Sequence, residues 1–288
     1  MQKIVVCGGN GQLGNSLQFI AAQYSNVFTF DFLDVEDLDI TNAQAVQAYF
    51  AQNKPDICVN CAAYTQVDKA ETEQDLATLI NATAVAHLAR ACAQTDSLFI
   101  HISTDYVFDG THGTANTTNA PTNPLNHYGA SKLAGEKAAF AYHTRSIVLR
   151  TAWVYGNFGH NFMKSMLRLG KEREELRIVC DQISAPTYSI DLAQMIMHLA
   201  IASAKIQTNQ IVHFTNNGTA SWYDFAYEII RLAGLSCKVS PIPSTAFPTP
   251  AQRPMFSKLS LFELEQDFAV SPRHWKEALV ECLEKELL

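Results

Sequence analysis

The stretch YGASKLAGE at residues 128–136 pairs a phenol with an ammonium group. Tyr128 and Lys132 are four positions apart, so on a helix they lie on one face, about one turn from each other. A free phenol has a pKa of about 10, and a cation beside it stabilises the phenolate and lowers that pKa. On its own the pattern is more typical of an ordinary surface helix. In a nucleotide-binding protein it predicts that Tyr128 is the acid or base toward a carbonyl or alcohol. Lys132 would then tune that phenol.

Two hydroxyl side chains end the apolar run LFIHIST at residues 98–104. Ligands of an open α/β sheet bind beyond the carboxyl ends of its strands, so Ser103 and Thr104 are expected at a ligand site. Pro124 signals that the helix carrying Tyr128 begins shortly after it, near the same edge of the sheet. Thr104 is therefore predicted to hold a carbonyl oxygen while hydride arrives on the adjoining carbon.

A glycine-rich turn, GGNGQLG at residues 8–14, follows the first strand-like run and opens a helix. Gly8 permits the tight turn, Gly11 lets the backbone approach a pyrophosphate, and Gly14 lets the helix pack close to the strand. The helix N-terminus offers unpaired N–H groups and a positive dipole end to the phosphates. The strand–turn–helix context predicts a dinucleotide-binding loop.

An acidic residue is expected about 20 residues further on, at the end of the second strand, where it binds the adenosine ribose 2′-OH. Asp31 follows the strand-like residues FTF in that place. No Lys or Arg occurs between Lys3 and Lys54, so no local cation is available for a 2′-phosphate. The sequence favours NADH, or an enzyme that accepts both NADH and NADPH, over strict NADPH dependence.

The first half of the chain alternates short apolar runs with helix-like segments. The runs are rich in β-branched residues, and they occupy 3–9, 28–31, 56–63, 98–104 and 146–153. One helix is predicted to open at Thr41, with Gln44 completing a capping box, and another runs through 76–93. Strands that are apolar on both faces and separated by helices predict an α/β fold with a Rossmann-type, doubly wound parallel sheet.

The pattern loosens after residue 153, which predicts a smaller C-terminal substrate-binding lobe. A helix is expected over 221–234, with Ser221 and Asp224 as a capping box and Gly234 as a stop, and the Pro-rich segment 241–254 is expected to be irregular. We expect the dinucleotide-binding domain to comprise residues 1–152 and about 183–213. The lobe would comprise about 153–182 and 214–288.

The composition excludes several classes of protein. Of 288 residues, 48% are hydrophobic and 17% charged, with a net charge of −7, so a sizeable core can form. The chain lacks a Lys/Arg-rich run, so neither a nucleic acid polymer nor an anionic membrane is expected as a partner. Without a signal-peptide pattern or an apolar stretch of about 20 residues, a cytoplasmic location is expected. Seven scattered cysteines indicate reduced core thiols, and the CxxC at 58–61 lacks a second ligand pair for zinc.

Several segments together resemble the dTDP-4-dehydrorhamnose reductases of the extended short-chain dehydrogenase/reductase superfamily. They are GGNGQLG, NCAAYTQVDKAE (60–71), STDYVFDG (103–110), PLNHYGASKLAGE (124–136), RTAWVYG (150–156), NFMKSMLRL (161–169), DQISAPTYSIDLA (181–193) and RPMFSKL (253–259). They follow one another in order over nearly the whole chain. The resemblance implies NAD(P)H-dependent reduction of the 4-keto group of dTDP-4-dehydro-L-rhamnose to dTDP-L-rhamnose.

The resemblance also implies roles for residues at matching positions. Tyr128 would be the proton donor, and Thr104 would polarise the keto group. Lys132 would lower the pKa of Tyr128 and bind the nicotinamide ribose of the cofactor, which Tyr128 would also contact. Further contacts with the cofactor's pyrophosphate, adenosine and underside would come from Gly11, Gln12, Leu13, Asp31, Asp39, Ile40, Ala63, Tyr64 and Thr65. Asp105 and Trp153 would contact the dTDP-sugar. Arg253 would bind the diphosphate, because its guanidinium group is positively charged. Members of the family are often described as magnesium-dependent or dimeric. No convincing acidic cluster is evident, so metal and a homodimer stay open.

Two departures from the family pattern concern the substrate loop. Residues 111–129 before and around Tyr128 are rich in Thr and Asn, where relatives often carry acidic residues, and Ile183-Ser184 replaces an expected aromatic–Gly pair. These changes bear on substrate specificity more than on the chemistry. Two alternatives to the reductase stay open: another nucleotide-sugar 4-ketoreductase or epimerase on the same scaffold, and a non-catalytic regulatory subunit. The regulatory subunit ranks last because Tyr128 and Lys132 are both present.

Overall fold

A six-stranded parallel sheet lies at the centre of the protein, whose computed structural model describes residues 1–287. In chain order the elements are β1 Gln2–Cys7, α1 Gln12–Ala21, β2 Phe28–Leu33, α2 Ala43–Asn53, β3 Ile57–Asn60, α3 Gln74–Thr78, α4 Ala84–Thr95, β4 Leu98–Thr104, α5 His127–Tyr142, β5 Ser146–Thr151, β6 Val154–Tyr155, α6 Phe162–Glu172, β7 Glu175–Val179, β8 Ile183–Ser184, β9 Thr187–Tyr188, α7 Ser189–Ile201, β10 Gln210–His213, β11 Ala220–Ser221, α8 Trp222–Leu232, β12 Lys238–Ile242, α9 Phe262–Phe268 and α10 Trp275–Leu287. The sheet order is β10-β5-β4-β3-β1-β2. The order reverses between β1 and β3, which confirms the predicted doubly wound sheet and marks the point where such sheets bind ligands.

Successive residues of the central strands supply two apolar cores, one on each face of the sheet. Ile4 and Val6 of β1 belong to a cluster that includes apolar residues of α1 and α7. Val5 and Cys7, which alternate with them, belong to a second cluster with apolar residues of α2 and α4. Because both faces are covered by helices, these strands show continuous apolar runs. Each fully buried aliphatic side chain contributes about 1.5–3 kcal/mol through the hydrophobic effect.

The C-terminal half adds three two-stranded ladders, β6–β9, β7–β12 and β8–β11, packed with α6, α8 and α10. Phe225 of α8 and Trp275 of α10 lie in the same apolar cluster as the β1 face of the central sheet. Strand β10 returns to the edge of that sheet beside β5, and α7 packs on α1. The chain therefore crosses between the central sheet and the small ladders more than once, and the division into two lobes stays a prediction.

The predicted N-terminal cap of α2 is wrong, and the predicted capping box of α8 is confirmed. The cap of α2 is Asn42, whose side chain accepts hydrogen bonds from two backbone N–H groups of the first turn. Thr41 does not cap the helix, because its hydroxyl donates to Asp39 at 2.7 Å. The predicted capping box of α8, formed by Ser221 and Asp224, is confirmed in both directions.

The Pro-rich segment 241–254 is only partly irregular. Its first two residues, Pro241 and Ile242, continue β12, which pairs with β7 in a two-stranded ladder. A proline is tolerated there because a strand with one neighbour needs no second row of hydrogen bonds. From Pro243 onward the segment has a short 3₁₀ turn and otherwise no regular structure up to Pro254.

The helical stretch Gln74–Thr95 is long and apolar enough to cross a membrane by length and composition. Half of its apolar window is buried inside the protein, and α4 packs against α2 and α5. These contacts are those of a core helix. The stretch includes a π-helical turn at Leu79–Thr83, between α3 and α4.

The cysteine thiols of residues 1–287 are free, and Cys7, Cys58 and Cys92 are buried in or beneath the sheet. Burial raises the pKa of the Cys58 thiol, which keeps it protonated and unreactive. The structure thus agrees with the prediction of reduced core thiols.

Candidate active site

The glycine-rich turn lies at the reversal of strand order and requires its glycines for geometric reasons. Gly8 has φ +80°, and a β-carbon there would lie 2.6 Å from the backbone nitrogen of Ala62. Gly11 caps α1 without a side chain, so the first N–H groups of that helix have no acceptor within it. Gln12 and Leu13 carry two of these N–H groups and line a cavity together with Gly8 and Gly11. This donor set fits the pyrophosphate of a dinucleotide.

Gly14 lies behind the turn and does not line the cavity. A β-carbon at Gly14 would lie 2.3 Å from the carbonyl oxygen of Gly8 and 2.4 Å from that of Gly9. Its role is therefore the close packing of α1 on the turn, as the sequence predicted.

Gly14→Ala is expected to displace the phosphate loop, because the added methyl group meets backbone atoms that cannot rotate away. Overpacking of this kind costs about 1–3 kcal/mol, and we expect the Kd of the reduced dinucleotide to rise about tenfold or more. Titration of the dinucleotide and thermal unfolding measure the two effects. Gly113→Ala is the matched control, since a β-carbon there meets no atom within 4 Å. Unchanged dinucleotide binding in Gly14→Ala would contradict this role of the turn.

The cavity has a volume of about 730 Å³ and extends from the glycine turn to the start of α5. Most of the residues that line it come from the glycine turn, the segment after β2, the segment after β3, the ends of β4 and β5, α5 and the segment around Gly159. Among the residues predicted from the sequence, its wall contains Gly8, Gly11, Gln12, Leu13, Asp39, Ile40, Ala63, Thr65, Ser103, Thr104, Tyr128, Lys132 and Trp153.

Asp31 lies outside this cavity, contrary to the sequence analysis. Its carboxylate forms an ion pair with Lys3 at 2.8 Å and accepts a hydrogen bond from the Tyr49 hydroxyl at 2.6 Å. Strand β2 continues past Asp31 to Leu33, so the acidic residue at its carboxyl end is Asp34, which lines the cavity. The Asp34 carboxylate accepts a hydrogen bond from the Asn10 N–H of the glycine turn at 2.9 Å.

Tyr64 is also turned away from the cavity, although its neighbours Ala63 and Thr65 line it. The Tyr64 hydroxyl donates to Glu73 at 2.7 Å. Its backbone is held by Asn81, which accepts from the Tyr64 N–H at 2.9 Å and donates to the Tyr64 carbonyl at 3.0 Å. The structure thus places Tyr64 as support for the segment after β3.

The predicted catalytic residues meet at one wall of the cavity. Asn126 caps α5 by accepting a hydrogen bond from the Gly129 N–H at 2.8 Å, which places Tyr128 in the first turn. Thr104 ends β4, and Lys132 lies one turn along α5 from Tyr128. The Lys132 ammonium is buried and donates to the Ile102 carbonyl of β4 at 2.6 Å.

Burial dominates the protonation of the two groups on α5. It raises the pKa of the Tyr128 phenol to about 12, an effect that the Thr104 hydroxyl opposes and the Asp105 carboxylate adds to. Burial likewise lowers the pKa of the Lys132 ammonium to about 8, although Glu136 opposes this. The pKa of Tyr128 is therefore raised in this structure, not lowered as the sequence analysis predicted, because removal of the phenol from water dominates.

Asp105 does not line the cavity but lies buried directly behind Thr104. Its carboxylate accepts hydrogen bonds from Ser257, from Ser184 at 3.4 Å and from Thr104 at 3.1 Å. Burial raises its pKa to about 6, while the three hydroxyl groups act in the opposite direction. Asp105 thus positions Thr104 and joins it to the segments around β8 and residue 257.

Trp153 and Arg253 differ in their placement. Trp153 lines the main cavity and stacks on Trp222 with ring centroids 3.6 Å apart. Arg253 lines a second cavity of about 720 Å³, in which Gln182, Ser244 and Phe247 also take part. Its guanidinium group pairs with Asp68, with the closer N–O distance at 2.8 Å.

The sequence analysis missed five residues that shape the site. Asp34 was missed because the predicted strand ended at Asp31, whereas β2 continues to Leu33. Asn81 was detectable in the sequence as a polar residue inside an apolar helical pattern. Trp222 follows Ser221, the predicted N-cap of α8, so its place at the start of that helix was predictable from the sequence. Its stacking on Trp153 was not. Ser184 was noted only as a departure from the family pattern and Ser257 only as part of the segment 253–259, because both meet Asp105 through the fold alone.

Within residues 1–287, no group of three or more His, Cys, Asp or Glu side chains is arranged to hold a metal ion. The side chains therefore provide no support for the magnesium site that the family resemblance left open.

The fold and the cavity define the class of the protein. A dinucleotide loop at the switch point of a parallel sheet faces a tyrosine and a lysine on one helix, which is the arrangement of extended short-chain dehydrogenases/reductases. A family model described as the RmlD substrate binding domain matches residues 1–288. The chain belongs to the dTDP-4-dehydrorhamnose reductase family.

Three relatives illustrate this membership. The chain is similar to the dTDP-4-dehydrorhamnose reductase of Escherichia coli strain K12, with 41% identity over 281 residues, which are 95% of this chain and 94% of that protein. The solved structure of a dTDP-4-dehydrorhamnose reductase from Clostridium acetobutylicum ATCC 824 superimposes with a TM-score of 0.95 at 40% identity, covering 100% of both chains. The Bacillus anthracis str. Ames enzyme, solved in complex with NADP, gives a TM-score of 0.94 at 37% identity, covering 99% of this chain and 100% of that one.

Proposed function

We propose that the protein reduces the 4-keto group of dTDP-4-dehydro-L-rhamnose to give dTDP-L-rhamnose, with NADH or NADPH as the reductant. The observation that carries this proposal is that Thr104, Tyr128 and Lys132 share the wall of the cavity into which the glycine turn opens. The relatives described above bear the name of this activity, which supports the choice of substrate.

The proposed chemistry is proton donation by Tyr128 as the keto carbon is reduced. A reduced dinucleotide held by the glycine turn and Lys132 would supply the hydride for the new C–H bond. A phenol with a pKa of about 12 stays protonated at neutral pH, so Tyr128 is ready to protonate an oxygen that gains negative charge. The resulting phenolate is reprotonated from water before the next turnover.

Thr104 would orient the keto oxygen toward the phenol. Its hydroxyl donates to Asp105 at 3.1 Å, a long hydrogen bond that the substrate oxygen can replace. The backbone N–H of Tyr106 donates to the same hydroxyl at 3.2 Å and keeps the oxygen in place during the exchange.

Lys132 would act on the cofactor and on the charge of Tyr128. One of its three N–H bonds is directed to Ile102, which leaves two for a nicotinamide ribose on the cavity side. A cation at this place also stabilises the phenolate that forms after proton transfer.

The adenosine end of the cavity supports a preference for NADH. Asp34 and Asp39 line this end, and hydrogen bonds from Thr41 lower the pKa of the Asp39 carboxyl group. A carboxylate accepts a hydrogen bond from a free ribose 2′-OH and repels a 2′-phosphate. We infer that both dinucleotides are accepted and that NADH is favoured.

The dTDP moiety would occupy the second cavity, where Arg253 is the cation available to its diphosphate. Arg253 lies close to Tyr106, whose ring contacts the ring of Tyr128 edge-on at 5.8 Å between centroids. A diphosphate bound by Arg253 would thus lie one aromatic ring away from the proton donor. We also propose a homodimer, a cytoplasmic location and the division into two lobes.

A turnover assay tests the proposed function. The purified protein is given dTDP-4-dehydrorhamnose with NADH or with NADPH, and the loss of reduced nicotinamide is followed by absorbance. We expect turnover with both dinucleotides and a higher kcat/KM for NADH. No turnover with either would refute the assignment. Tightly retained NAD in the purified protein would favour the epimerase alternative, because an epimerase keeps its cofactor through the cycle.

A further inference from the structure

Trp153 has a backbone conformation that bulky residues rarely adopt. Among residues 1–287, the non-glycine residues with positive φ are Lys54, Asp96, Ala269 and Trp153. The first three end helices α2, α4 and α9, where a left-handed residue is common. Trp153, with φ +46°, lies instead just beyond β5 on the wall of the main cavity. Strain of this kind persists only where surrounding contacts enforce it, and such residues cluster at functional sites.

The indole of Trp153 lies in a flat stack on Trp222. The two indole rings are 3.6 Å apart between centroids and inclined by 12°. The Trp153 carbonyl also accepts a hydrogen bond from the Thr187 N–H at 3.1 Å. One face of the Trp153 ring is thus covered by Trp222, while the residue remains part of the cavity wall.

Trp222 is itself held firmly from two sides. It is the first residue of α8, directly after Ser221, whose hydroxyl accepts from the Asp224 N–H at 3.0 Å in the capping box. The ring of Phe162 contacts Trp222 at 4.6 Å and stacks in turn on Phe225 at 5.7 Å. Phe225 lies in the main apolar core, so Trp222 connects Trp153 to that core.

We propose that Trp222 is a positioning residue that fixes the indole of Trp153 as a preformed surface for the sugar ring of the substrate. This inference rests on the proposed function, because it takes the substrate to be a nucleotide-linked deoxysugar. A deoxysugar presents an apolar face of C–H groups, which packs favourably on an indole ring. Trp222 does not touch the sugar, and it acts only through Trp153.

The test compares Trp222→Phe, which keeps an aromatic ring, with Trp222→Leu, which keeps an apolar side chain but not the ring. Trp153→Leu and the double variant Trp153→Leu/Trp222→Leu complete a mutant cycle. Tyr223→Phe, at the next position of α8, is the matched control. For each protein we measure kcat, the KM for dTDP-4-dehydrorhamnose, the Kd of the reduced dinucleotide, the midpoint of thermal unfolding and the circular dichroism couplet of stacked indoles.

We expect Trp222→Leu to raise the KM for the sugar nucleotide about three- to tenfold. This range corresponds to the interaction free energy of one aromatic pair. The Kd of the dinucleotide should stay at the wild-type value, and Trp222→Phe should retain most of the substrate affinity. In the Trp153→Leu background, Trp222→Leu should raise the KM no further, because its effect passes through Trp153. The dichroism couplet should disappear in Trp222→Phe and in Trp153→Leu and persist in Tyr223→Phe.

An unchanged KM in a folded Trp222→Leu protein would overturn the proposal, and so would full additivity of the two leucine substitutions. A parallel loss of dinucleotide binding would also overturn it, since that would show a general structural role. If the wild-type protein does not turn over the substrate, the proposed function fails. The dichroism couplet of the wild-type and variant proteins then still decides whether Trp222 holds Trp153.

Discussion

Tyr128→Phe is expected to lower kcat by about 10²- to 10⁴-fold, the range of a lost general acid, and to leave dinucleotide binding nearly intact. The substitution removes one oxygen and keeps the ring, which packs against Tyr106 edge-on with centroids 5.8 Å apart. The cofactor cradle is formed by other residues, the glycine turn and the segments after β2 and β3, so the Kd of the dinucleotide should change little. Steady-state kinetics and a dinucleotide titration measure the two quantities.

Tyr142→Phe serves as the control for Tyr128→Phe, since it makes the same chemical change on the same helix. Tyr142 is exposed at the end of α5, where its ring lies under the Arg90 guanidinium group. It should have wild-type activity. A Tyr128→Phe enzyme that retains a near-normal kcat would show that another group protonates the sugar oxygen.

Lys132→Met is expected to reduce kcat/KM by about 10²-fold or more, because it removes the cation that stabilises the phenolate and binds the nicotinamide ribose. Unlike Tyr128→Phe, it should also weaken dinucleotide binding. Comparing the two variants separates proton donation from cofactor placement. Lys137→Met is the control on the same helix, since Lys137 is exposed.

Lys132→Met is expected to leave the free energy of unfolding at neutral pH unchanged or to raise it. Burial lowers the pKa of Lys132 from its usual 10.5 to about 8, which corresponds to a cost of about 3 kcal/mol for folding with the charge present. Loss of the hydrogen bond to the Ile102 carbonyl offsets about 1–3 kcal/mol of the gain. A functional role of Lys132 would explain why the protein keeps a buried ammonium group that lowers its stability.

The pH dependence of this effect has a definite sign. The folded pKa lies below the unfolded value, so between about pH 8 and pH 10.5 the unfolded chain binds a proton that the folded protein has released. The cost is fully present below about pH 8 and disappears as the pH rises through this window. The advantage of Lys132→Met in denaturant unfolding should therefore shrink toward about pH 10. A variant that is less stable than the wild type by more than about 2 kcal/mol at neutral pH would assign Lys132 a structural role.

Local sequence patterns were sufficient for the parts of the site that depend on neighbouring residues along the chain. The glycine turn, the Tyr128–Lys132 spacing and the hydroxyl group at the end of β4 are each defined within one element and its flank. Their convergence also followed from the sequence, because the carboxyl ends of parallel strands meet at one edge of the sheet.

Boundaries and polar partners were harder to predict, as Asp31 and Asp34 show. Both are acidic residues near the end of β2, and only the pairing of β2 with β1 through Leu33 shows which of them reaches the cavity. Asp105 was assigned to the substrate through the family resemblance, yet its carboxylate accepts hydrogen bonds from Ser184 and Ser257, which lie in distant parts of the chain.

The sequence by itself determined the α/β fold, the dinucleotide loop and the three residues of the proposed chemistry, because periodicity and spacing are properties of local chain geometry. Only the tertiary structure decided the protonation of Tyr128 and Lys132, the role of Asp105 as a support for Thr104 and the stack of Trp222 on Trp153. Desolvation and contacts between distant segments depend on which groups the fold removes from water together, and no local pattern in the sequence encodes that.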